Sequence, residues 1–347
     1  MVLGAGAVGT AIASTLQGAG FDTLLVGQRP RFNASSVAAG MISPLLEHRI
    51  DPASAACLDL LASGADLWPA FARATGIALR TSGALWLSPA AGDAGSGAGL
   101  RTLRPVSPGE AQVLQPRLGP WDGPIVFAPD EACVDPRQGL TAMEAAFVAA
   151  GGRFLGGMAR QDGEGWAVGA DRVLAGAVVI ATGYEGQGLS GSAPELARLR
   201  PIRGQIARVA AGLDPRSACI RGPGAYVAPQ ADGSAMVGAT MEFGEAEPAA
   251  SPADAGALVA AATRFMPHLA ACSFEALAGI RATTPDNLPM VGRSGRANIL
   301  LATGMRRNGW LLTPLVAQMI RDYLAGNDPG AFAGALDPGR FDRAGCA

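Results

Sequence analysis

Three glycines near the start of the chain constrain its fold more than any other feature. Gly4, Gly6 and Gly9 form G-x-G-x-x-G within "VLGAGAVGTAIASTLQGAGFDTLLV" (2–26). Val8, Ile12, Leu16 and Ala19 then recur at helical spacing, and 23–26 is a short β-type run. The segment therefore reads as strand, glycine turn, helix, strand. In that setting the first glycine allows the sharp turn, the second lets a pyrophosphate approach the backbone, and the third lets helix and strand pack closely. The helix N-terminus adds free N–H groups and the positive end of a dipole. The pattern predicts a dinucleotide site. It also needs a strand ahead of Gly4, so Met1 stands inside that strand, as in a chain that is clipped or whose start is misassigned.

The pattern is incomplete at its far end. An acidic residue is expected about 20 residues on, to hold the ribose hydroxyls. Here the second strand ends "LLVGQRP", so Gly27 takes that place and Gln28 and Arg29 follow. Gln28 can still hydrogen-bond a ribose. Arg29 suits a 2′-phosphate and keeps a nicotinamide dinucleotide open as an alternative.

Composition narrows the partners. The 347 residues suffice for one large domain or two interleaved ones, and a chain 49% apolar and 16% charged is globular. The net charge of −2, with no basic block, argues against nucleic acid. No apolar run reaches the roughly 18 to 20 residues that span a bilayer, and no charged leader with a cleavage site precedes the motif. Five scattered cysteines (Cys57, Cys133, Cys219, Cys272, Cys346) without C-x-x-C spacing suit neither a disulfide framework nor zinc, so a reducing cytoplasm is the expected setting. His48 and His268 are the only histidines, too few for a multi-histidine metal centre, and both are expected on the surface or in loops.

Along the chain, "SSVAAGMISPLLE" (35–47) is small-residue and flexible before turning apolar, and "PAAGDAGSGAG" (89–99) reads as a mobile loop. "SPGE" (107–110) is a capping-box signal with proline at the first helical position. A helix is expected over 140–150, ended by Gly151-Gly152. "AVVIATG" (177–183) is a buried strand closed by Gly183, far from the first strand, so the nucleotide domain resumes after an insertion. "GQIARVA", "AYVAPQ" and "AMVGATME" read as strands between 204 and 242, with "ADG" as a hairpin turn. A helix over 253–266, the strand "ANILLATG" and a helix starting near Gly309 complete the reading.

Several of these segments together resemble the glycine oxidase and D-amino acid oxidase family of FAD-dependent amine oxidases, most closely its glycine oxidase branch. They are "GAGAVG" (4–9), "SSVAAGM" (35–41), "VVIATG" (178–183), "PIRGQ" (201–205), "YVAPQADGSAMVGATME" (226–242), "GIRATTPDNLPMVG" (279–292) and "ATGMRRNGWLLTP" (302–314). They stand in the family's order and cover nearly the whole chain. The resemblance implies an α/β fold (α+β overall), with a Rossmann-like FAD-binding domain and an interleaved mixed-β-sheet substrate domain. The FAD-binding part would comprise 1–40, 129–192 and 276–347, and the substrate part 41–128 and 193–275.

The same resemblance implies roles. Non-covalent FAD would lie with its phosphates over Ala7 and Val8 and its ribose at Gly27 and Gln28. Ser35, Ser36, Ala39, Gly40 and Met41 would pass beside phosphates and flavin, with Met158 on the adenine side and Gly183 at the closing turn. Met305, Arg306, Arg307, Asn308, Gly309, Trp310 and Leu311 would cover the pyrimidine end of the flavin. The substrate carboxylate would be held by Arg281, assisted by Tyr226, with Arg307 also on the substrate side. A fixed guanidinium fork suits a planar carboxylate. No metal is implied. The implied reaction is hydride transfer from the Cα of a small amino acid or N-alkyl glycine to flavin N5, with oxygen as acceptor; a homo-oligomer is compatible with it.

The chain departs from the family pattern at four places. Gly27 replaces the ribose-binding acid, and Ala282 replaces a proline after the substrate arginine. Met305 stands where many relatives have histidine, and Trp310 replaces a smaller aliphatic residue, so an indole would either shrink the pocket or offer a stacking surface. Arg306 falls where relatives carry an aromatic and has no assigned role. An amine dehydrogenase of the same fold, an NADP-dependent oxidoreductase and a non-catalytic or tRNA-modifying relative stand as alternatives.

Overall fold

The computed structural model describes residues 1–28, 33–54, 57–87 and 102–343. Arg29, the 89–99 stretch and Cys346 lie outside the described residues.

The opening motif folds as read, into strand Val2–Leu3, helix Ala7–Gly18 and strand Leu24–Gly27. Val2 lies between Leu25 and Val179, both in parallel neighbours. The sheet has six strands in the order Met290–Arg293, Ile299–Thr303, Val178–Ile180, Val2–Leu3, Leu24–Gly27, Arg153–Gly156, and only the first is antiparallel to its neighbour. The helices Ala7–Gly18, Pro136–Ala149 and Gly309–Ala325 pack together against it. Covered on both faces, the central strands are apolar without alternation. The Pro136–Ala149 helix begins four residues before the expected Leu140. Asp135 accepts hydrogen bonds from Arg137 N and Gln138 N, and Pro136 fills the first helical position.

A second, nine-stranded sheet has Ala84–Leu87, Arg104–Pro105 and Ile125–Ala128 on one side and Cys219–Gly222, Ala225–Pro229, Ala235–Gly238, Arg200–Val209 and Glu242–Phe243 on the other. The "ADG" hairpin joins Ala225–Pro229 to Ala235–Gly238, with Gly233 at φ +81°. Phe274–Thr283 pairs with the whole of Arg200–Val209, from Val209 opposite Phe274 to Arg200 opposite Thr283. The boundary expected at 276 therefore cuts a strand whose ladder runs on without interruption.

The helix Pro44–Ile50 arises in a segment that reads only as flexible and then apolar. Its first N–H groups, at Leu45 and Leu46, donate to Glu131 Oε1 (2.9 and 3.2 Å). The capping group thus comes from 86 and 85 residues away, beyond the reach of a local pattern. Ser107 and Glu110 form the expected capping box for Pro108–Leu114. His48 sits half-buried on the Pro44–Ile50 helix, and His268 half-buried on a 3₁₀ turn, neither in an exposed loop. Among the described residues no helix is long and apolar enough to cross a membrane.

Candidate active site

The glycine turn is built for close approach. Gly4 has φ +109°, and a Cβ there would stand 2.4 Å from the Ala181 carbonyl oxygen. A Cβ on Gly9 would stand 1.8 Å from the Gly4 carbonyl oxygen, so helix and turn touch backbone to backbone. Gly6 caps the helix without a side chain, Ala7 N donates to Ser35 Oγ (3.0 Å), and Val8 is half-buried behind it. The Thr182 backbone lies beside Gly4, while its buried Oγ1, without a partner among the described residues, lies toward Gly186. A helix end with open N–H groups and a stripped turn fit the phosphates of a dinucleotide.

Gly27 explains the missing ribose acid. Its Cβ would meet Ala5 N at 2.7 Å and Ala5 Cβ at 2.8 Å, leaving no room for a side chain. Gln28 follows, exposed. Gly157 N donates to Gly27 O (3.2 Å), which brings Met158, 65% exposed, to the same end of the parallel sheet. Gly183, at φ +61°, accepts a hydrogen bond from Thr303 Oγ1 (3.0 Å).

The 33–42 segment is held as a rigid strap. Asn33 Oδ1 accepts from Ser35 N (3.0 Å) and Ser36 N (2.8 Å), and Ser36 Oγ accepts from Asn33 N (2.9 Å). Ala39 and Gly40 are buried; Gly40 has φ +75°, with Val134 O where a Cβ would be, and Met41 pairs with Cys133. Trp310 Nε1 donates to Ser35 O (3.0 Å). Its ring lies against Gly139 and 6.3 Å from the Trp68 ring, at 5% exposure. The indole is therefore turned into the helical core. Met305 and Leu311 are buried too, and Asn308 and Gly309 open the last long helix.

One face of the nine-stranded sheet follows from strand register. Trp86, Arg221, Tyr226, Gly238, Ile206 and Leu277 stand opposite one another across six neighbouring strands and so share one face. Gly204, Gly279 and Arg281 lie on the same face by period-two alternation. A Cβ on Gly238 would stand 2.6 Å from the Tyr226 hydroxyl, and one on Gly204 would stand 2.2 Å from Arg281 Nη2. Both polar side chains thus lie over glycines, leaning into the same space. Burial lowers the Arg281 pKa, and Arg307 adds to the fall while Tyr226 opposes it; burial pushes the Tyr226 hydroxyl up. Arg281 Nη1 donates to Thr240 O (3.1 Å) and touches Met241 Sδ (3.2 Å). Among the described residues no carboxylate lies within ion-pair distance of it. Arg281 is thus a desolvated cation.

The other guanidinium groups are already matched. Arg307 Nε lies 3.0 Å from Glu47 Oε2 and its Nη2 3.3 Å from Glu47 Oε1. Arg221 also binds Glu47, and Arg306 binds Asp51. Burial works to raise both acids, but Arg221 and Arg307 at Glu47, and Arg306 and Arg307 at Asp51, hold them below the usual carboxylate range. Arg307 therefore stands near Arg281 and Tyr226 but is already engaged by Glu47, and Arg306 is engaged by Asp51. Glu47, Asp51, Arg221, Gly204 and Gly238 escape sequence reasoning. The i, i+4 spacing of Glu47 and Asp51 is the one signal that could have flagged the two acids as a pair.

Residues 1–323 match the family model described as FAD dependent oxidoreductase (DAO). The chain is 31% identical over 255 residues to the bifunctional protein ThiO/ThiG of Synechocystis sp., covering 69% of this chain and 37% of that protein. It is 29% identical to the tRNA 5-methylaminomethyl-2-thiouridine biosynthesis bifunctional protein MnmC of Caulobacter sp., covering 98% of this chain and 57% of that protein. It therefore spans roughly a third to just over half of these two-function relatives. A glycine oxidase of Pseudomonas aeruginosa is 27% identical, with 99% of this chain and 98% of that one covered. Among solved structures, glycine oxidase from Geobacillus kaustophilus shares the fold at a TM-score of 0.83 and 23% identity, covering 98% of this chain and 97% of that one.

Proposed function

The chain belongs to the FAD-dependent oxidoreductase family, and within that chemistry we propose that it oxidatively deaminates a small amino acid or N-alkyl glycine, of the glycine, sarcosine or D-amino acid type. The observation that carries this reading is Arg281, a half-buried guanidinium with no carboxylate within ion-pair distance among the described residues, leaning with Tyr226 over a floor of glycines. FAD as the family cofactor sets aside the nicotinamide alternative raised by Arg29.

Bound FAD would supply a two-electron acceptor for the hydride of the substrate Cα, and water would hydrolyse the resulting imine to an oxo acid and ammonia or an alkylamine. The chain's part is orientation. Arg281 would hold the substrate carboxylate through a forked, charge-assisted contact, and the Tyr226 hydroxyl, whose pKa burial raises, would donate to the same group. Gly204 and Gly238 leave room for the substrate above the sheet. Gly4, Gly6, Ala7, Val8, Gly9 and Ser35 would hold the cofactor phosphates, and the N-terminus of the Gly309–Ala325 helix would present N–H groups to the flavin's pyrimidine edge. No histidine is required, because the work is alignment of a neutral amine. Oxygen is the proposed acceptor and the cytoplasm the proposed setting.

The test is hydrogen peroxide formation by the purified yellow protein across glycine, sarcosine and D-amino acids. Peroxide with a small amino acid supports the reading. Reduced flavin that is reoxidised by a quinone but not by oxygen would move the protein to the dehydrogenase alternative.

A further inference from the structure

Arg306 is the residue the site has not used. It sits at φ +51°, and the other non-glycine residues described at positive φ, Asn287 and Asn298, are of the type that tolerates it. A glycine or asparagine would suit the backbone better, so the arginine is there for its side chain. Its N–H donates to the carbonyl of Ala282 (2.8 Å), the residue after Arg281. Its guanidinium meets Asp51 with both ends, Nη1 on Oδ2 and Nη2 on Oδ1 (3.3 Å). The two side chains are only 8% and 6% exposed. Asp51 closes the Pro44–Ile50 helix, one turn beyond Glu47, which holds Arg307.

Buried pairs of this kind stabilise little compared with apolar packing, and their best-attested use is to fix register. Two adjacent arginines face two carboxylates one helical turn apart, an arrangement that admits more than one pairing. We propose that Arg306 and Asp51 form a positioning pair that sets which carboxylate Arg307 takes. With Asp51 occupied, Arg307 lies on Glu47 at 3.0 Å and only approaches Asp51, at 3.9 Å. Without Arg306, Asp51 becomes the unsatisfied partner, Arg307 shifts toward it, and Glu47 is left to Arg221. The bond from Arg306 N to Ala282 O ties the same loop to the strand that carries Arg281. The pair thus acts on substrate binding through Arg307 and Arg281 without touching substrate, and this inference rests on Arg281 as the carboxylate anchor.

The experiment uses the FAD-loaded protein and the variants R306M, which frees Asp51 for Arg307, and R306M/D51L, which removes the competing carboxylate as well. Substrate KM and kcat are measured, together with the dissociation constant of propionate read from its perturbation of the flavin absorbance, and Tm. A positioning role predicts that R306M keeps FAD and a near-wild-type kcat, while KM and the propionate constant rise at least about tenfold. In R306M/D51L Arg307 has only Glu47 to take, so both constants should return toward wild type. Wild-type constants in R306M, or a rise in R306M/D51L as large as in R306M, would overturn the proposal. If R306M does not fold, unchanged constants in R306Q overturn it equally. If the wild type oxidises no amine, the functional reading fails, and the propionate constants still decide the pairing.

Discussion

The guanidinium of Arg281 lies flat across Gly204: a Cβ there would meet Nη2, Cζ and Nη1 at 2.2, 2.3 and 2.3 Å. Gly204 is backbone in an otherwise regular ladder, so it is glycine for the sake of its neighbour. Gly204→Ala should push the guanidinium off the sheet and cost about 1–3 kcal/mol of stability from overpacking. Substrate KM should rise at least about tenfold with FAD content unchanged. A KM within experimental error of wild type would show that Arg281 does not bind where it now lies.

Gly27 leads to a prediction opposite to the one the dinucleotide motif invites. Restoring the ribose-binding acid with Gly27→Asp should weaken FAD binding, because the new Cβ would collide with Ala5 N and Cβ at 2.7 and 2.8 Å. A loss of at least about tenfold in FAD affinity, near 1.4 kcal/mol, is expected from fluorescence titration of the apoprotein. Tighter binding would mean that the turn relaxes and that the missing acid is a true deficit.

Glu131 gives the stability a pH slope. Burial first of all pushes its carboxyl up to about 7 from 4.5, against the lowering effects of Ser43, Arg221 and the Leu45 and Leu46 amides. The unfolded chain loses this proton near 4.5 and the folded chain near 7, so the native state binds more protons in between. The group's contribution to stability is complete below about 4.5 and falls as pH rises to about 7, by up to roughly 3 kcal/mol. Glu131→Gln keeps an oxygen for Leu45 N and Leu46 N and should flatten this slope. Denaturant midpoints at pH 5 and pH 8 decide it: equal slopes in wild type and variant contradict the assignment.

Trp310 should matter for folding and little for substrate choice. Trp310→Leu removes the Ser35 contact and the ring packed on Gly139 and near Trp68. A loss of about 1–3 kcal/mol is expected from the partial cavity, with the order of preference among amino acids unchanged. A reordered preference at intact stability would place the indole in the pocket after all.

The readable parts of this chain are those whose cause is local. The glycine turn, the "SPGE" cap, the "ADG" hairpin and the Gly309 helix each carry their instruction within a few residues, and each forms close to its expected place. The Pro44–Ile50 helix does not, because its capping carboxylate belongs to Glu131. Arg281 and Tyr226 stand out in the resemblance, but their convergence depends on a cross-strand register that joins residues 204, 226, 238 and 281. The pairing of Arg306 with Asp51 spans 255 residues and that of Arg307 with Glu47 spans 260, with nothing in either segment to announce it. Long-range charge matching is invisible to periodicity, and most of the site is made of it.

The most direct test is an anaerobic titration of the FAD-loaded protein with glycine, sarcosine and D-alanine, following the flavin absorbance. At least one should bleach the wild-type flavin, and Arg281→Met should need at least about a hundredfold more of it, the loss expected when a charge-assisted carboxylate contact goes. A flavin that stays oxidised with every amine, or an Arg281→Met protein that bleaches at wild-type concentrations, would contradict the account.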